Sequence, residues 1–193
     1  MVRLAALLDP RPAPRPALVT PEHVGGPVAW DCLVRDGALR VVRGRCAVPA
    51  GTPVDAEVRA RALPPVPGGS VVAGRTAAWL HAGVPDDGVL HLAYPTGRHR
   101  PEVWVGAHVW QEPLLATDVV HLAGVPVTTA VRTVVDLAVR EDVDVAVAAI
   151  RALVEECGVD LDAARRALEL RARVVGRPRA RRVLAAAVGA GVP

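Results

Sequence analysis

Lysine, asparagine and phenylalanine are absent from this chain of 193 residues, and serine, glutamine and isoleucine occur once each. All 23 basic residues are therefore arginines, a bias typical of coding pressure in a GC-rich genome. The missing lysine excludes a phosphate-binding loop of the Gly-x-x-x-x-Gly-Lys-Ser/Thr type, and it removes the residue that usually accompanies the carboxylates of a restriction-type nuclease. Because phenylalanine is also missing, valine and alanine must fill much of the core.

Cysteine is scarce, and no long apolar run is present. Cys32, Cys46 and Cys157 are odd in number and far apart, so they form neither a disulfide framework nor a Cys-x-x-Cys motif. The apolar patch at residues 4–8 is too short for a signal peptide or a membrane span. Since 51% of the residues are hydrophobic, we expect a globular, cytoplasmic protein without membrane contact.

The net charge of +3 conceals an uneven distribution. Residues 1–50 carry seven arginines and four acidic residues, residues 51–160 carry eight and fourteen, and residues 161–193 carry eight and two. Both ends are therefore basic, while the middle is acidic. This pattern favours contact of the ends with a polyanion; the alternative for the C-terminal excess is a solvated helix face.

The first 50 residues have the order of a winged helix-turn-helix domain. Thr20-Pro21-Glu22 is a helix start, Gly25-Gly26-Pro27 ends that helix, and a second helix is predicted over about 28–36. The runs 39–42 and 45–48, joined by Arg43-Gly44, predict a β-hairpin. We expect this domain to bind DNA through arginines of the second helix and the hairpin: Arg35, Arg40, Arg43 and Arg45.

A connection rich in proline and glycine follows at residues 51–69, and a second domain is predicted over 70–193. Its plan is a helix at 74–82, strands at about 89–94, 103–110 and 118–127, and helices at about 129–140, 143–156, 161–175 and 179–188. This order predicts an α+β fold, in which a small antiparallel or mixed sheet packs with a C-terminal set of helices. The helix at 143–156 is apolar on most sides, so we expect it to be the central one.

The segment from His121 to Arg140 is the most informative part of the second domain. It predicts a tight turn, a short strand and a helix that Thr128 or Thr129 caps. On that helix Val131, Val134, Val135 and Ala138 form an apolar stripe, and Arg132, Asp136 and Arg140 recur four residues apart as an ion-pair ladder.

This segment resembles the Val-Thr-Thr-x-x-Arg-Thr-x-x-Asp-Leu-Ala signature of actinobacterial proteins of the AbiEi antitoxin type, the antitoxin halves of type IV toxin–antitoxin systems. The residues that carry the signature are Thr128, Thr129, Arg132, Thr133 and Asp136. Residues 73–83 and 90–95 are similar to flanking parts of the family. The resemblance implies a winged-helix domain, an antitoxin domain and a nucleotidyltransferase-like toxin as partner. Some relatives continue into a nuclease domain resembling very-short-patch-repair endonucleases, and this chain is expected to lack it.

We predict no catalytic residue, no cofactor and no metal site. His91, His108 and His121 lie in predicted strands and would form a zinc site if they converged, but hydrogen-bonded histidines are the alternative. Further arginines are candidates for contact with phosphate or an acidic partner: Arg98, Arg100, Arg165, Arg166 and Arg173.

The sequence therefore predicts a non-enzymatic, antitoxin-like transcriptional regulator that binds operator DNA and opposes a toxin. One alternative is a protein-interaction module whose DNA-binding domain is vestigial. Another is a relative of the nuclease-fused proteins that lacks the nuclease, and a third is an enzyme with a family-specific site.

Overall fold

The computed structural model of the protein describes residues 18–99, 106–172 and 174–188. The chain divides into two compact units between Pro53 and Val54. Helices and strands occur in both units, so the predicted α+β class is confirmed. Within the described ranges, every helix is too short or too polar to cross a lipid bilayer.

The first unit contains two short helical segments followed by an antiparallel hairpin. Its elements are a 3-10 helix Pro21–Val24, α1 Pro27–Arg35, β1 Leu39–Arg43 and β2 Cys46–Pro49. The turn between the helical segments is made by Gly25 and Gly26, whose φ angles of 88° and 109° are accessible to glycine at little steric cost. Pro27 then begins α1, because its fixed φ suits the first helical turn.

A small apolar cluster holds the first unit together. Trp30 of α1 packs with Leu39 and Ala47 of the hairpin, and all three are buried. Val19 exchanges two backbone hydrogen bonds with Ala47, at N–O distances of 2.8 and 2.9 Å. The predicted hairpin is confirmed, but its turn is Gly44-Arg45 and not Arg43-Gly44, because Arg43 pairs with Cys46 at the end of β1.

The second unit is built on a mixed five-stranded sheet. Its strands are β3 Val71–Val72, β4 Leu90–Tyr94, β5 Ala107–Gln111, β6 Val119–Leu122 and β7 Val125–Thr128. They lie in the order β5-β4-β3-β7-β6, with β4–β5 and β3–β7 parallel and β3–β4 and β6–β7 antiparallel. The predicted strand at 103–110 corresponds to β5 in its described part.

Six α-helices of the described residues accompany this sheet, besides a 3-10 helix at Ala116–Asp118. They are α2 Ala56–Arg61, α3 Gly74–Ala82, α4 Ala130–Arg140, α5 Val143–Cys157, α6 Leu161–Leu170 and α7 Arg177–Val188. Helix α2 lies within the expected connection 51–69 and belongs to the second unit. Asp55 caps it by accepting a hydrogen bond from the Val58 amide at 2.7 Å.

The single strand predicted over 118–127 is wrong, because the chain reverses direction within it. Strands β6 and β7 form a hairpin whose two-residue loop is Ala123-Gly124, with φ angles of 49° and 83°. Two positive φ angles in a two-residue loop are typical of a type I′ turn. The turn, strand and capped helix expected for the signature segment are confirmed.

Helix α4 is the central helix, so the expectation for the helix at 143–156 is wrong. Residues 132–138 of α4 are all buried, and α4 packs against α3, α5, α6 and α7. Helix α5 instead leaves Val143 and Val145 exposed, at 47% and 38%. Apolar composition misled here because α4 buries its polar residues as well.

Helix α6 is shorter than the predicted 161–175. Ala164 and Leu168 are buried as expected, but the helix ends at Leu170, and Val175 is 90% exposed. Arg171 is extended and makes ion pairs elsewhere. Val175, which was predicted to end the apolar stripe of this helix, therefore lies outside it.

The turn at Ala123 gives a stability prediction. Alanine is strained at a positive φ, whereas asparagine is common at this position of a type I′ turn. We expect Ala123→Asn to raise the free energy of unfolding by about 0.5–1 kcal/mol, measured by urea denaturation. The control Ala185→Asn, at an exposed position within α7, should lower it by about 0.5 kcal/mol. A loss of stability in Ala123→Asn would contradict the turn assignment.

Candidate functional site

The first unit presents its arginines at the end of α1 and along the hairpin. Arg35 is the last residue of α1 and is exposed, and Arg45 is exposed in the hairpin turn. Arg40 is exposed on β1 and donates a hydrogen bond to the Thr52 carbonyl, while Arg43 at the end of β1 is half-buried. Three of the four predicted DNA contacts are therefore exposed, namely Arg35, Arg40 and Arg45.

Acidic and apolar side chains interrupt this basic surface. On α1, Val28 is 78% exposed, and Asp31 is exposed one helical turn before Arg35. Near the hairpin turn, the pKa of Glu22 is lowered first by a hydrogen bond from Thr20 and further by attraction to Arg45. Over residues 18–53 the unit consequently offers a few separated cations rather than a continuous basic stripe.

The three threonines of the signature join β7 to α4. Thr129 caps α4 by accepting a hydrogen bond from the Arg132 amide at 3.2 Å. Thr128 and Thr133 are buried with their hydroxyl oxygens 2.8 Å apart, and Thr133 also donates to the Thr129 carbonyl at 2.9 Å. These residues fix the angle between strand and helix, so their contacts in the structure serve the fold.

Arg132, which is only 1% exposed, is the centre of a charge cluster whose other members, apart from Asp136, are partly exposed. Its Nε lies 2.8 Å from Asp136 Oδ1, and its Nη1 lies 2.9 Å from Asp118 Oδ2 and 3.1 Å from the Pro113 carbonyl. Its Nη2 lies 3.5 Å from Glu112 Oε1. A guanidinium is well suited to this position because its donors point in several directions in one plane.

Two further arginines complete what we call the Arg132 cluster. Its members are Arg132, Arg140, Arg171, Glu112, Asp118 and Asp136. Arg171 lies 3.2 Å from Asp118 Oδ2 and 3.9 Å from Asp136 Oδ1. Arg140 pairs with Glu112 and also lies over the ring of Trp110, 4.6 Å from its centroid. Three cations thus face three carboxylates, and the cluster is neutral when all are ionised.

Asp136 is the most perturbed acid of the cluster. Burial raises its pKa to about 6, and the attraction of Arg132 and Arg171 offsets that effect only in part. The side chain is 3% exposed, and its Oδ2 has no hydrogen-bond partner among the described residues. The neutral acid is therefore favoured in the folded protein at mildly acidic pH.

Several arginines of the second unit donate hydrogen bonds to backbone carbonyls near helix ends. Arg59 donates to the Leu80 and His81 carbonyls at 3.0 and 3.2 Å. Arg151 donates to the carbonyls of residues 186 and 187 at the end of α7, and Arg179 to those of residues 139 and 141 at the end of α4. A guanidinium at a helix C-terminus satisfies carbonyls that lack an intrahelical partner. At least one arginine of the basic C-terminal segment, Arg179, therefore has this structural role.

The predicted phosphate or partner contacts fall into three groups. Arg165 is half-buried on α6 and pairs with Asp162 at 2.9 Å, while Arg166 is exposed and pairs with Asp160 at 3.3 Å. Arg98 is exposed in the turn after β4. Arg100 and Arg173 lie outside the described residues.

The three strand histidines do not converge. His91 and His108 are direct neighbours on β4 and β5, with ring centroids 5.4 Å apart, but His121 lies on β6 at the opposite edge of the sheet. His91 is buried, with Nε2 3.4 Å from Asp87 Oδ2, and burial lowers its pKa. In the described part of the chain, no three histidine, cysteine or acidic side chains are grouped to hold a metal ion.

Sequence reasoning missed half of the Arg132 cluster. Arg132, Asp136 and Arg140 were identified by their spacing, but Glu112, Asp118 and Arg171 carry no local signal. They lie in loops or at an element end and reach the cluster only through the tertiary fold. Their polarity alone predicts exposed positions.

Neither the protein-family models nor the curated proteins include a match to this chain. Assignment of function therefore depends on the residues and their geometry.

The burial of Arg132 predicts a large cost for its removal. Arg132→Ala would leave three carboxylates without their shared cation, so we expect a loss of about 3–5 kcal/mol in the free energy of unfolding. Arg166→Ala breaks an exposed pair with Asp160 and should cost less than about 1 kcal/mol. Both values come from urea denaturation, and equal losses in the two variants would contradict the structural role of the cluster.

Asp136 predicts a specific pH dependence. Its folded-state pKa of about 6 is above the ordinary value of 3.8, so its contribution to stability is complete below about pH 4 and is lost as the pH rises through 6. Relative to Asp136→Asn, the wild type should lose up to about 3 kcal/mol of unfolding free energy over that range. Urea denaturation of both proteins at several pH values isolates this residue. If the wild type instead gained stability relative to Asp136→Asn as the pH rises, the attraction of Arg132 and Arg171 would outweigh the effect of burial.

Proposed function

We propose that this protein is a DNA-binding regulator of antitoxin type, in which the first unit contacts operator DNA. The observation that carries the proposal is the order of elements in residues 21–49: a short helix, a Gly-Gly turn, α1 and a hairpin with arginine in its turn. This is the order of a winged helix-turn-helix, in which the second helix enters the major groove and the hairpin follows the backbone.

The accessible arginines define the contacts in this proposal. Arg35 at the end of α1 positions the helix at the groove, and Arg45 in the hairpin turn binds phosphate. Arg40 and Arg43 add further backbone contacts from β1. Because the described cations are few and acidic residues lie among them, binding involves a small number of phosphates, and the affinity falls with salt in proportion to that number.

The second unit, in this proposal, supplies the antitoxin function. It carries the Thr128-to-Asp136 signature, and the toxin it opposes is a nucleotidyltransferase-like protein. The signature residues hold α4 against the sheet and do not form the contact surface, because their side chains are buried or engaged within the unit. The proposal includes no chemical reaction.

A protein-interaction module is the second candidate. The outer face of α1 favours it, because this face carries exposed Val28 and Asp31 where a helix that reads DNA usually carries donors. In that case the first unit keeps the order of elements but lacks affinity for DNA. The two candidates differ in one measurable property, which is binding to DNA at low salt.

The DNA proposal predicts a retarded complex with the DNA upstream of the gene for this protein. Affinity should fall by about tenfold or more between 50 and 200 mM salt. Arg45→Ala should weaken binding severalfold at every sequence and reduce the salt slope by about 1. Arg182→Ala removes an exposed arginine of α7 and serves as the matched control with unchanged affinity. Absence of a complex at low salt would reject DNA binding and favour the interaction module.

A further inference from the structure

A groove on the second unit has an apolar floor and an acidic rim. We call it the α3–α5 groove, and its volume is about 600 Å³. It is lined by residues of α3, of the loop that follows α3, and of α5.

The floor of the groove is made of small apolar side chains at helical spacing. Along α5, Val145, Ala148, Ala149 and Ala152 recur at the positions that share one helix face. Val145 is 38% exposed, and Ala148 is exposed. Small side chains let a guest approach closely, and the apolar area that it covers supplies the driving force.

The rim of the groove is negatively charged. Glu155 and Glu156 are exposed on the last turn of α5, where the helix dipole adds further negative potential. Among the lining residues Arg75 is the single cation, and its guanidinium lies 2.6 Å from Glu141 and 3.3 Å from Asp87. The groove therefore repels nucleic acid and attracts a cationic partner.

The walls of the groove favour a helical guest. Its lining includes no residue of a described β-strand, so an extended peptide would have no sheet edge with which to pair. A helix satisfies its own backbone hydrogen bonds and presents side chains to such a groove. From Val145 to Glu156 the α5 face is about 17 Å long, which matches about three helical turns.

We infer that the α3–α5 groove docks a basic amphipathic helix of a protein partner. The apolar face of the guest covers the alanine floor, and its flanking lysines or arginines pair with Glu155 and Glu156. This docking is independent of the proposed DNA contact, because none of the arginines assigned to DNA lines the groove.

The test is fluorescence anisotropy of labelled peptides titrated with the full chain. The first probe is an amphipathic peptide of about 12 residues with leucines at helical spacing and lysines on the flanks. Its twin carries glutamate in place of lysine. We expect the lysine peptide to bind at least about tenfold more tightly than the glutamate peptide, and more weakly as salt increases. Equal affinity of the two peptides would overturn the inference.

Two variants test whether the groove is the binding site. Ala152→Arg places a long cation in the groove and should weaken binding of the lysine peptide by about tenfold or more. The matched control Ala185→Arg adds the same charge to an exposed position of α7 and should leave binding unchanged. Binding by Ala152→Arg as tight as by the wild type would overturn the inference.

A second variant keeps the test decisive if Ala152→Arg fails to fold. The double substitution Glu155→Gln and Glu156→Gln alters only exposed side chains, so the fold should be retained. We expect severalfold weaker binding of the lysine peptide and a smaller salt dependence. Unchanged affinity and salt dependence in this variant would also overturn the inference, whatever the outcome of the DNA experiment.

Discussion

The second unit depends on the burial of one guanidinium, that of Arg132. A buried cation that loses its partners destabilises a protein by several kcal/mol, so each partner must be held in place. Glu112 and Pro113 follow β5, Asp118 precedes β6, and Asp136 lies one turn further along α4. Because these groups come from separate elements, their convergence on Arg132 specifies how the loops pack against α4.

Because the contacts of Arg132 come from residues distant in sequence, the sequence predicted the helices and strands better than the buried contacts between them. The hairpin at residues 39–49 and the cap of α4 follow from local signals, which are a turn glycine and a threonine. Strand β3 has only Val71 and Val72, too short for any periodicity, yet it is the middle strand of the sheet. The four-residue spacing of Arg132 and Asp136 suits an exposed ladder and a buried pair equally well. Burial is decided by Glu112, Asp118 and Arg171, which are distant in sequence.

Charge counts along the chain likewise do not show which arginines make contacts within the fold. The basic C-terminal segment suggested a surface for polyanions, but Arg179 donates to carbonyls at the end of α4, and Arg181 pairs with Glu169 at 2.7 Å. A helix ends with carbonyls that need donors, and in this chain, which contains no lysine or asparagine, arginine often supplies them. An arginine is therefore informative about function only after its structural acceptors are known.

The two proposed contact surfaces lie on different units and carry opposite charge. In the first, Arg35 and Arg45 are exposed cations next to a helix and a hairpin turn, while in the second the α3–α5 groove exposes Glu155 and Glu156. The acidic groove repels a phosphate backbone, and the exposed arginines of the first unit repel a basic helix. The two proposed contacts therefore cannot exchange their partners: the same electrostatics that would bring DNA to the first unit would keep it from the groove.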